Sequence, residues 1–79
     1  MQIFVAILSN PIDQAEFEKS WRLDCTGNLF PEAGFSFADR RISLTLAPGP
    51  DGRWQTEMVH RTFSSAVRRV DHSCNIRWV

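Results

Sequence analysis

The chain has 79 residues, nine basic and nine acidic side chains, and 43% hydrophobic residues that include six Phe and three Trp. That length fits one domain. The ordinary apolar content and zero net charge exclude a disordered polyelectrolyte, and no apolar run approaches the roughly 20 residues of a membrane span.

The charge is unevenly divided. Residues 1–39 carry −4 and residues 40–79 carry +4, with eight Arg and a single Lys supplying the cations. A balanced total therefore covers a polarised chain. The apolar run Ile3 to Leu8 lacks the positive flank and small-residue site of a signal peptide, so the expected location is a cytoplasm. Cys25 and Cys74 are two cysteines only, too few for a disulfide framework; reduced thiols are the usual state there, with a single disulfide between them as the alternative.

Residues 2–8, QIFVAIL, are apolar on both alternations, which predicts a central strand covered on both sides. The expectation is that Ile3, Val5 and Ile7 meet the helices. Phe4, Ala6 and Leu8 would then line an open face beside Ser43, Thr45, Gln55, Glu57, Asn75 and Arg77, which either serves as an interface or is covered by the long segment 24–39. Asn10-Pro11, with Asp13 three residues beyond Asn10, predicts a helix from about Pro11 to Arg22. Its apolar residues are split between Ile12, Ala15 and Leu23 on one side and Phe17 and Trp21 on another. Either the helix packs on two neighbours, or Phe17 and Trp21 form an exposed anchor for a partner.

Residues 24–39 read as a long irregular segment, with a short strand available around Phe35 to Ala38. Arg41 to Ala47 alternates, with Ile42, Leu44 and Leu46 inward. Pro48-Gly49-Pro50-Asp51-Gly52 is a turn, and Arg53 to Val59 alternates again, so the two runs predict a β-hairpin. The rival is a longer helix from Trp54 to Val70. Val59, Phe63, Ala66, Val67 and Val70 share one helical face, Thr62 is placed to cap it, and it should stop near Asp71 or His72. Residues 74–79 close the chain as a strand, with Cys74, Ile76 and Trp78 on one side. The assembled order, βαββαβ, predicts a ferredoxin-like α+β sandwich: a four-stranded antiparallel sheet with two helices on one face.

Chemistry is sparse. No paired Cys/His spacing of the zinc type occurs, no Gly-rich phosphate loop occurs, and no catalytic motif or cofactor site is legible. RNA-recognition domains share the element order, but the aromatic signature is missing from RWQTEMV. Acylphosphatases share it too, but Ser9-Asn10-Pro11 stands where their Gly-rich, Arg-bearing loop would be. The expectation is a non-enzyme, monomeric or homodimeric, with no membrane contact. Arg61, Ser65, Arg68 and His72 recur on one helix face beside Arg69, suiting either solvent or an anionic partner. Asp13, Glu16, Glu18, Asp24, Glu32 and Asp39 offer the opposite charge.

Three classes stay open: a protein-binding inhibitor, an assembly module dimerising through its open sheet, and a nucleic-acid-binding module using the arginine helix. In overall style the chain resembles small phage-encoded anti-CRISPR proteins, being compact, without a catalytic motif and with separated charge. That resemblance implies docking on a CRISPR effector subunit in a host cytoplasm and blocking its access to DNA. The candidate contacts are Arg61, Arg68, Arg69, Arg77, Asp13, Glu16, Phe17 and Trp21.

Overall fold

The computed structural model describes residues 1–25, 33–49, 52 and 54–79, the side chains of residues 24 and 25 aside. Its elements run β1 (Gln2–Leu8), α1 (Gln14–Cys25), β2 (Gly34–Ala38), β3 (Arg41–Leu46), α2 (Thr56–Val70) and β4 (Ile76–Trp78). The four strands form one antiparallel sheet in the order β2-β3-β1-β4, with β1 and β3 central and both helices on one face. This is the ferredoxin-like βαββαβ sandwich the sequence predicted.

The strands filling that pattern are not all the expected ones. The hairpin joins β2 to β3 through Asp39-Arg40, where Asp39 takes a left-handed φ of 56°, a conformation Asp tolerates in turns. Of the expected partner strand over 53–59, residue 53 lies outside the described residues, and 54–59 are the approach to α2 and its first turn, close to the rival helix reading. The physical reason lies in Gln2 and in the helical face. The Gln2 side-chain amide donates to the Trp54 carbonyl at 3.0 Å and accepts from the Trp54 N–H, satisfying the backbone that a strand would have paired. From Val59 onward the 3.6-residue spacing then buries Val59, Phe63, Ala66 and Val67 in one stripe. Of the expected turn, Pro50 and Asp51 lie outside the described residues; Gly49 and Gly52 on either side exchange two backbone hydrogen bonds, and Gly52 sits at φ 97°, open only to glycine at low cost.

Capping differs in detail too. Asp13, not Asn10, caps α1: its carboxylate accepts from the Glu16 N–H at 3.0 Å, and its carbonyl from the Phe17 N–H. The Asn10 side chain donates to Asp71 instead. Thr62 lies inside α2 and donates to the Met58 carbonyl, a back-bond rather than a cap. The end of α2 at Asp71 agrees with expectation.

The core lies between helices and sheet. Phe4, Ala6 and Leu8 of β1 face inward with Ile42, Leu44 and Leu46 of β3, and Phe17, Trp21, Val59, Phe63 and Val67 close it from the helices. The expected orientation of β1 is therefore reversed. Register decides this: Phe4 pairs with Leu44 and Ala6 with Ile42, so even residues of β1 share a face with even residues of β3. Either face of β1 alone could have been buried, whereas the alternation of β3 allowed only one. Phe17 centres the core, with its ring 5.0 Å from Phe35, 5.1 Å from Phe63 and 5.7 Å from Phe37. The two helices are tied by the buried Ser20 hydroxyl, which donates to the Ala66 carbonyl at 2.8 Å.

Candidate functional site

Once the helices cover one side of the sheet, the other side holds the odd residues of β1 and their neighbours. The register builds it in rows. Ile3 lies beside Thr45 and Gly34; Val5 beside Ser43 and Ser36; Ile7 between Arg41 on β3 and Arg77 on β4. Val79 extends the middle row, its N–H donating to the Val5 carbonyl. Ile3 is 67% exposed and Val79 75%. These are two of the four large hydrophobics most open to solvent among the described residues, and a third, Met1, leads into the same strand.

The relief of this face follows from side-chain size. β1 raises an aliphatic ridge of Ile3, Val5 and Ile7. β2 contributes only Gly34, Ser36 and Ala38, and β3 adds the hydroxyls of Ser43 and Thr45 beside Arg41, so the side chains flanking the ridge on that side are mostly small. The strand residues on this face include no acid. Arg41 and Arg77 are its charges, and neither has a hydrogen-bonding or ion-pair partner among the described residues. A depression at the end of the sheet is lined by Ile7, Ser9, Asn75 and Arg77.

The helix layer carries the second surface. Arg61, Ser64, Ser65, Arg68 and Arg69 share one shallow concavity on α2. Arg61 already engages Glu57 one turn earlier at 3.5 Å, with both side chains at least 80% exposed, a pair of small energetic weight. Glu16 of α1 lies with Lys19 and Leu23 across a groove from Arg69. Structure thus gathers three of the expected contacts, Arg61, Arg68 and Arg69, and brings Glu16 to the edge of that group. Arg77 stands apart on the open sheet, and Asp13 is occupied as a helix cap.

Phe17 and Trp21 are withdrawn as surface anchors. They are 0% and 3% exposed, because the face that α1 turns to the sheet meets Phe35, Phe37 and Phe63. Arg41 is a site residue the sequence reading passed over, although its position in the alternation with Ser43 and Thr45 placed it outward with them.

Two titrating groups sit where the fold perturbs them. His60 stacks on Trp78 with rings 3.8 Å apart and 10° from parallel, and Phe4 meets it edge-on at 5.9 Å. Partial burial there pushes its pKa below the ordinary value of 6.5. Asp71 is held below the usual carboxylate value, first by the Ser73 hydroxyl at 2.7 Å and its backbone N–H, then by Asn10 and His72. Cys74 is a buried free thiol with sulfur contacts to Ser9 and to the carbonyls of Asn10 and Asn75. Cys25 lies outside the described side chains. No group of three or more His, Cys, Asp or Glu among the described residues is arranged to hold a metal. No described helix is long and apolar enough to cross a membrane.

The class defined by these features is a four-stranded, two-helix α+β sandwich of ferredoxin-like topology, with one sheet face that no described helix or strand covers. No protein-family model, curated protein or solved structure matches the chain.

Proposed function

We propose that this domain is a non-enzymatic binding protein that docks on another protein through the open face of its sheet. The observation that carries this reading is the contiguous aliphatic ridge Ile3–Val5–Ile7, extended by Val79 on the side away from the helices. Single exposed hydrophobics need no explanation. A row of them on a central strand, rimmed by hydroxyls and guanidinium groups, has the composition of an interface. The described strand residues of the same face include no aromatic side chain on which bases could stack: β3, the central strand beside β1, presents Ser43 and Thr45 there.

The biological form we propose is inhibition of a CRISPR effector complex, with the domain bound to an effector subunit and its DNA access blocked. This form rests on the likeness in size, charge separation and lack of catalytic motif described above. Its test uses purified effector complexes and the immobilised domain. The expected result is retention of one complex, with loss of its DNA binding. Failure of every complex to be retained overturns the effector as partner. Retention undiminished by Ile3→Glu with Val5→Glu overturns the sheet face as the surface.

The shared concavity of Arg61, Ser64, Ser65, Arg68 and Arg69 favours a second reading, an anionic ligand on α2. If that ligand is nucleic acid, retention falls steeply with added salt, because phosphate contacts release counterions.

A further inference from the structure

The chemistry of the open face also selects its occupant. We propose that it takes a short acidic, aliphatic segment of a partner protein, with carboxylates on Arg41 and Arg77 and an apolar side chain seated on Ile7 between them. This inference rests on the binding function assigned to the sheet face.

Three observations carry it. First, the pairing of β1 with both neighbours sets Arg41 and Arg77 on either side of Ile7 in one row across three strands. Second, neither guanidinium has a partner among the described residues, and the strand residues of this face include no acid to supply one. Arginine forks suit carboxylates in both geometry and charge. Third, a second copy packed face to face would bring together two surfaces whose strand residues carry arginine and no acid, whereas an acidic segment supplies the missing charge. A short segment also matches the ridge and the small side chains of Gly34, Ser36 and Ser43 beside it.

The test uses two synthetic nine-residue peptides, one alternating leucine with glutamate and its twin alternating leucine with lysine. Each is titrated into the ¹⁵N-labelled domain, followed by its amide spectrum. The expected result is movement of the Ile3, Val5, Ile7 and Ser43 amides with the glutamate peptide, which binds about tenfold more tightly than the lysine peptide. Arg41→Glu with Arg77→Glu, confirmed as folded by its spectral dispersion, reverses that order. Equal movement by both peptides overturns the acidic occupant while leaving docking on the apolar face in place. No movement of this face by either peptide overturns both. Two further controls decide between occupants. Shifts that depend on protein concentration without peptide would assign the face to a second copy. Movement of the same amides by a single-stranded oligonucleotide, but not by the glutamate peptide, would assign it to nucleic acid.

Discussion

Replacing Phe17 separates the core from the surface more sharply than any other single change. The ring is fully buried, and it meets Phe35, Phe37 and Phe63 at centroid distances of 5.0 to 5.7 Å. Truncating a buried Phe to Ala costs about 3–5 kcal/mol. Each aromatic pair adds about 0.5–1.5 kcal/mol beyond its area, which places Phe17→Ala near the top of that range. A domain of this size has roughly 4–12 kcal/mol in total, so the alanine variant loses much or all of its stability. Phe17→Leu is the informative variant. It keeps an apolar branch in the space and loses the ring geometry, costing about 1–2 kcal/mol. At about 4–8 °C per kcal/mol for a small domain, its Tm falls by roughly 5–15 °C. Urea unfolding followed by tryptophan fluorescence, with circular dichroism as a second probe, measures both variants. A change below about 0.5 kcal/mol in both would place Phe17 on the surface and refute the packing described here.

Gln2→Ala removes the side chain that pairs with the Trp54 backbone and should cost about 1–3 kcal/mol in urea unfolding, because two backbone groups lose their partner. Gly49→Ala should destabilise by a similar amount, about 1–3 kcal/mol: a Cβ there lies 2.9 Å from the Trp54 ring, whose Nε1 donates to the Ala47 carbonyl. His60 sets a pH dependence. Its folded pKa lies below the ordinary 6.5, so the unfolded chain binds the proton more readily. The stabilising contribution of neutral His60 is full above that value and falls as pH drops through 6.5 toward the folded pKa. Tm measured from pH 8 to pH 5 should show this decline, and His60→Phe should flatten it.

The sequence made β1, β3, the apolar stripe of α2 and the element order legible, because each rests on local periodicity. β3 in particular alternates without ambiguity, and five residues of α2 fall on one helical stripe. The orientation of β1 was illegible from its own residues, since both alternations are apolar and only pairing with β3 chooses between them. The false hairpin had a similar origin. Trp54, Thr56 and Met58 alternate, but the chain there is governed by the distant Gln2 amide and by the helix that follows. At the surface, the clustering of Arg61, Arg68 and Arg69 follows from helical spacing alone. The Arg41–Ile7–Arg77 row needs strand register across three strands, which no local pattern contains. Phe17 and Trp21 show the reverse case: an apolar pair off the main stripe of α1 faces the core because the sheet supplies Phe35 and Phe37 to meet it.

The central claim is that the open sheet face, rather than the arginine face of α2, is the working surface. Its most direct test is the affinity of a retained partner for three folded proteins of matched Tm: the wild type, Ile3→Glu with Ile7→Glu, and Arg61→Glu with Arg68→Glu. The account predicts that the sheet variant loses about 100-fold or more, the loss expected for a central interface anchor, while the helix variant stays within about threefold. A full-strength sheet variant together with a helix variant weakened about 100-fold would contradict it.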